Sequence, residues 1–323
     1  RAALACAVSL LALHACGNAG SQSGADLISE PQPVEIQVPP AGQLPTDVTP
    51  LAYRLDLKTD PDAEGFSGTV AIDVSLAAPH ARIWLHSVEQ DILGAKAVLD
   101  NGTEIPATFT GNQAPGGVAR LDFDSPVPAG TATLEISYTA PYNLGLAGLY
   151  KAVQSDTDYL ATQMEPIDAR RMMPSFDEPR FKTPWTLTVT APTGNQVIAN
   201  APLTGTTQLE NGMVRHSFAP TREIQSYLVA LAVGPYDMRE GQPLPPNSLR
   251  AKQVPFCGFA PAGKGDQLEV AMDITDDIVS QQETYFDYPY PYAKLDIIAV
   301  PDFAYGAMEN AGAIIYRESA LLI

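Results

Sequence analysis

The chain has 323 residues, 45% of them hydrophobic and 17% charged, a balance typical of globular proteins that excludes disorder for the bulk of it. Lys and Arg number 19 against 37 Asp and Glu, a net charge of -18, so phosphate neutralisation is disfavoured and no nucleic acid is expected as a partner. An acidic surface suits solubility and cationic ligands such as peptide amines.

Arg1 precedes an apolar run from Ala2 to Ala15, too short to span a bilayer and of the right length for a signal-peptide core. It ends in Leu13-His14-Ala15-Cys16, which resembles a bacterial lipobox, the motif whose Cys becomes the lipidated first residue of the mature chain. Residues 1–16 therefore read as a signal peptide with a lipidation site at Cys16. This implies a periplasm-facing lipoprotein of the bacterial cell envelope, held to the membrane through its lipid anchor. The alternative is an ordinary secretory signal cleaved near Ala15, giving a secreted protein. Residues 17–45, rich in Gly, Ser, Gln and Pro and including Pro39-Pro40, read as a flexible linker. With Cys6 in the discarded peptide and Cys16 in the lipobox, Cys257 stands alone, so no intrachain disulfide is expected and Cys257 reads as buried and inert.

Residues 46–238 read as one sheet domain, in which alternation of period two, the mark of half-buried strands, runs from Leu51 to about Val233. Val70, Ile72 and Val74 alternate with Ala71 and Asp73, and Leu134, Ile136 and Tyr138 with Glu135 and Ser137; Trp185, Leu187 and Val189 alternate with threonines. Asn101-Gly102 and Asn211-Gly212 tolerate the positive φ values of tight hairpin turns, and Pro126 to Gly130 is expected to punctuate another strand pair. The expectation is a mainly β, largely antiparallel N-terminal domain.

The pattern changes after Pro235. Across a Pro- and Gly-rich crossing from Gly241 to Pro246, the residues Leu268, Ala271, Met272, Ile278, Val279, Tyr285 and Phe286 recur at helical spacing. Asp266, with Glu269 three residues on, is the expected N-cap, and Pro289 and Pro291 the stop. Leu295 to Val300 reads as a strand and Gly306 to Tyr316 as a further extended stretch. One helix is too little to close a core, so residues 239–323 read as the truncated opening of a larger α/β domain. With no initiating Met and no stop signal before Ile323, the chain reads as a fragment of a longer frame.

The chemistry concentrates at two places. Gly306 and Ala307 have no bulk and let another backbone approach closely, as strand-addition peptide binding requires. Glu309 stands two residues beyond Ala307, on the same side of an extended chain, where its carboxylate reaches the end of such a peptide. Gln163 and Glu165, also two apart, are expected to share one face of a strand. Two carboxylates and an amide oxygen in a desolvated cleft hold an ammonium by charge-assisted hydrogen bonds, each about twice as strong as a neutral one.

The run Pro301-Asp302-Phe303-Ala304-Tyr305-Gly306-Ala307-Met308-Glu309-Asn310 resembles the exopeptidase signature of the aminopeptidase N family of zinc peptidases. Gln163-Met164-Glu165-Pro166-Ile167-Asp168-Ala169-Arg170-Arg171 with Pro174-Ser175-Phe176-Asp177-Glu178-Pro179 is similar to that family's second block, and Tyr285-Phe286, Tyr288-Pro289-Tyr290-Pro291 and Lys294-Leu295-Asp296 to a third. The likeness covers about Leu44 to Ile323. It implies a saddle-like sheet domain followed by the incomplete start of a thermolysin-like α/β catalytic domain. It also implies that Gln163, Glu165 and Glu309 bind the substrate's α-amine, that Gly306 and Ala307, with Met308 and Asn310, align the peptide, and that Met164 and Tyr305 line the pocket for the first side chain. A cis peptide near Glu165-Pro166 is a further implication, since proline lowers its cost to about 1 kcal/mol or less. Ala311 stands where the family usually has Trp.

That family draws its zinc from His-Glu-x-x-His on a helix plus a distant Glu, two His at i and i+4 binding the metal while the Glu activates its water. Here His14, His80, His86 and His216 are each followed by another residue than Glu and read as structural or surface groups. One zinc ion is thus expected in the full-length protein, with its ligands, the general base and the oxyanion Tyr beyond Ile323, and the isolated chain is expected to be inactive. Asp168, Arg170, Arg171, Asp177 and Glu178 read as charged pairs bracing the sheet domain against the catalytic domain. The leading reading is a zinc-dependent aminopeptidase acting on peptides with a free N-terminus. The alternatives are a non-catalytic peptide-binding lipoprotein without a metal domain, and a bare β-sheet adhesion or scaffolding module.

Overall fold

The computed structural model describes residues 38–323, so the signal-peptide reading, Cys16 and most of the linker lie outside the described residues. Seven strands come first: β1 (Val48–Lys58), β2 (Gly65–Leu76), β3 (His80–His86), β4 (Asp91–Leu99), β5 (Glu104–Ala114), β6 (Val118–Val127) and β7 (Gly130–Pro141). The hairpin β8 (Gly148–Gln154) and β9 (Thr157–Gln163) leads into a single helical turn, α1 (Ala169–Met172). Then follow β10 (Trp185–Pro192), β11 (Gln196–Ala199), β12 (Leu203–Gln208), β13 (Met213–Phe218) and β14 (Leu231–Gly234). They form a ten-stranded sheet in the order β12-β13-β10-β1-β2-β7-β4-β5-β6-β3 and a four-stranded one in the order β11-β14-β9-β8. Every pairing in them is antiparallel except β1 with β10.

The alternating residues supply the core: Val70, Ile72, Val74, Leu134, Ile136 and Tyr138 are fully buried, and the Trp185 ring stacks on Tyr53 at 3.9 Å. Asn211 and Gly212 take φ values of 61° and 71° between β12 and β13, and Gly102 takes 82° between β4 and β5. The Pro126 to Gly130 expectation is corrected. That stretch separates β6 from β7, but the two strands do not pair, because β4 and β5 lie between them.

A five-stranded mixed sheet, β15-β16-β17-β19-β18, closes the described chain. It comprises β15 (Tyr236–Glu240), β16 (Phe256–Pro261), β17 (Leu295–Val300), β18 (Ala307–Met308) and β19 (Ala313–Arg317), with α2 (Glu269–Phe286) between β16 and β17 and the turn α3 (Glu318–Leu321) at the end. The boundary expected at residue 238 falls inside β15, which pairs with β16. The N-cap expectation is also corrected. Asp266 sits within a 3-10 turn, Gly265–Leu268, and α2 is entered at Leu268 without a side-chain cap. Its exit comes before the prolines, at Asp287, whose left-handed conformation (φ 50°) ends the helical run. Ala271, Met272 and Val279 pack on the sheet, whereas Ile278, Tyr285 and Phe286 face outward, so the apolar stripe is only partly covered by the described residues.

Candidate amine-binding site

The sequence expectation put Gln163 and Glu165 on one strand face, and the structure corrects this. β9 ends at Gln163, and the chain turns through a cis Glu165-Pro166 bond, leaving Gln163 buried and Glu165 exposed. The cis bond itself is where the resemblance put it. Met164 is buried in the main core, at 1% exposure.

The other half of the site keeps its alternation over a short span. β18 is only two residues long and pairs Met308 with Ile315 and Ala307 with Tyr316, which fixes Met308 inward. Ala307 and Glu309 are exposed, Met308 and Asn310 buried, as an extended chain demands. A side chain at Gly306 would meet nothing within 4 Å, and Tyr305 beside it is exposed.

The two halves come together. Gln163 Nε2 lies 3.9 Å from Met308 Sδ, while Gln163 Oε1 and Asn310 Nδ2 are buried without a hydrogen-bond partner. Tyr227, in the 3-10 turn Ser226–Leu228, is the residue that sequence reasoning missed. Burial first, and then the charges of Glu165 and Glu309, push its hydroxyl above the ordinary phenol range, so both carboxylates stand near one side chain. Ser226 Oγ donates to Asp177 Oδ1 at 2.5 Å, anchoring that turn from below.

The charged cluster braces the structure differently from the expectation. Arg170 Nε donates to Asp177 Oδ2 at 2.9 Å, its Nη2 to the Asp177 carbonyl at 2.7 Å, and its Nη1 to the Gly116 carbonyl. Arg171 pairs with Asp168 and Glu89, and Glu178 with Arg180 and the Leu44 amide. Every one of these partners precedes β15, so the cluster ties the sheet region to itself, and the closing sheet is held by other contacts.

No group of three or more His, Cys, Asp and Glu with metal-holding geometry occurs among the described residues. His80 faces Asp47 at 3.5 Å, and His86 is buried under the desolvating surface of the sheet. The Cys257 thiol is half-buried and pushed up to about 11, chiefly by burial, which keeps it protonated and unreactive at neutral pH.

The Peptidase M1 N-terminal domain matches residues 49–228 and the Peptidase family M1 domain residues 270–323. Aminopeptidase N of Acetobacter pasteurianus is 35% identical over 288 residues, covering 87% of this chain and 78% of that protein. Aminopeptidase M1-B of Oryza sativa subsp. japonica is 32% identical and aminopeptidase N of Plutella xylostella 33% identical, each over 87% of this chain. The chain spans only 31% of the length of those two relatives. With the matched domains covering most of its described length, the chain belongs to the peptidase M1 family.

Proposed function

We propose that this chain is the substrate-recognition portion of a zinc-dependent aminopeptidase, holding the free α-amine of a peptide between Gln163, Glu165 and Glu309. A protonated amine has three N–H donors. The observation that carries the reading is a matching set of acceptors: the unpartnered, buried Gln163 Oε1 and the two carboxylates that both act on Tyr227. Ala307 and the open space at Gly306 leave room for the peptide backbone, with Met308 and Asn310 fixing the strand and Tyr305 free to border the first side chain. Zinc, the general base and the oxyanion donor come from residues other than those described. Localisation to the cell envelope through a lipid on Cys16 belongs to the same proposal, and loss of fatty-acid labelling in Cys16→Ser tests it.

The recognition step is tested by calorimetry of the chain with trialanine amide and its N-acetyl counterpart. The expected result is binding of the free amine about a hundredfold tighter, with Glu309→Gln or Glu165→Gln removing most of the difference. Equal affinity for the two peptides would defeat the reading.

A further inference from the structure

Asn200 directly follows β11 and is buried, at 5% exposure. Its Nδ2 donates to the Leu228 carbonyl at 2.8 Å and to the Ala311 carbonyl at 2.9 Å, while its Oδ1 accepts from the Ala230 amide at 2.7 Å. Both amide hydrogens and the oxygen are therefore engaged, which fixes the side chain in one orientation. One end of this clasp is the residue after Tyr227, and the other is two residues past Glu309.

The backbone of Asn200 presses on the same loop. A Cβ at Gly312 would stand 2.5 Å from the Asn200 carbonyl oxygen, and Gly312 has φ +73°, so only glycine permits this approach. The Asp296 amide donates to the Gly312 carbonyl at 3.0 Å, and Lys294 Nζ reaches it at 3.3 Å. The stretch from Asn310 to Gly312 is thus held between Asn200 and β17, with the Ala313 amide donating to the Asn310 carbonyl at 3.1 Å and two-residue β18 preceding it.

We propose that Asn200 is a positioning residue of the amine site: by holding the Ala311 carbonyl and the Tyr227 turn with one amide, it sets where the Glu309 carboxylate stands relative to Glu165. The inference rests on the reading of the site given above. It differs from a purely structural role in that its loss reaches the ligand through the Glu309 carboxylate, and so weakens a free-amine peptide and not an acetylated one.

The test is a double-mutant cycle read by calorimetry with trialanine amide and its N-acetyl counterpart. Asn200→Ala is expected to weaken the free-amine peptide about tenfold, to leave the acetylated one unchanged, and to have no further effect in a Glu309→Gln background. An equal loss in both backgrounds, an equal loss for both peptides, or no loss would overturn it. Should Asn200→Ala fail to fold, Asn200→Ser serves, because it stays neutral and polar while being too short to bridge the Leu228 and Ala311 carbonyls, and the same outcomes apply. A wild-type chain that does not prefer the free amine ends the functional reading and this inference with it. A preference that depends on Glu309 but not on Asn200 ends this inference alone.

Discussion

The Gln163 side-chain nitrogen lies 3.9 Å from the Met308 sulfur although 145 residues of chain separate them. A thioether is a weak acceptor, and the other end of the same amide, Oε1, is buried with no partner at all. Leaving a buried acceptor unsatisfied costs about 1–3 kcal/mol, which a fold retains only where the atom has another use. Gln163→Leu is therefore expected to hold stability level or raise it by about 1 kcal/mol in urea unfolding, while weakening free-amine peptide binding. A variant that loses stability and binds normally would show that Gln163 serves packing alone.

Tyr227 reports on whether Glu165 and Glu309 share one space. After burial, both charges raise the pKa of its phenol. Neutralising either one, by Glu165→Gln or Glu309→Gln, should bring that pKa down, seen as an ultraviolet difference titration against Tyr227→Phe in the same background. A titration that ignores one of the two substitutions places that carboxylate away from the hydroxyl and divides the candidate site.

The strands were legible wherever a run alternated for five residues or more. A one-residue slip would have put the buried set of Val70, Ile72 and Val74 on the solvent face, so pattern and register agree. Short elements were not legible. Glu165 looked like a continuation of β9 because nothing in Gln163-Met164-Glu165 shows where pairing stops; pairing with β8 runs out at Gly148–Gln163. The pairing partners of β6 and β7 were hidden because a Pro- and Gly-bounded connection looks the same whether it joins neighbours or crosses two strands. Tyr227 and Asn200 carry no local signal. A lone Tyr beside Ser226 and Leu228 reads as core, and the roles of both residues arise only from chain segments far away.

The Arg170 and Asp177 pair is buried at 6% and 1% exposure and links α1, the Gly116 loop and, through Asp177, the Tyr227 turn. Removing one member of such a pair strands the other charge in a place where water cannot reach it, at a cost of about 3–5 kcal/mol. Asp177→Ala should fall in that range by urea unfolding, and Asp177→Asn should lose a comparable amount, because both leave the Arg170 guanidinium buried without its counter-charge even though the amide still accepts from Ser226. A much smaller loss for Asp177→Asn would mean that the hydrogen bonds, not the charge, carry the stabilisation.

His86 gives the fold a defined response to acid. It is buried, its Nδ1 has no partner, and burial, followed by the Arg170 and Arg180 charges, lowers its pKa from 6.5 to about 3. The folded state thus keeps the ring neutral where the unfolded chain takes up a proton. Stability from this source is fully present above pH 6.5 and is lost as the pH falls toward about 3, because over that window the unfolded state binds more protons. The slope attributable to one such group is about 1.4 kcal/mol per pH unit within the window. Between pH 6 and pH 5, before ordinary carboxylates titrate, unfolding free energy should fall by close to that amount more in the wild type than in His86→Gln, which keeps a polar side chain of similar size without a titrating ring; the slope left in the variant includes His216, whose pKa burial also lowers. An equal pH dependence in both proteins would locate the acid response in a different group.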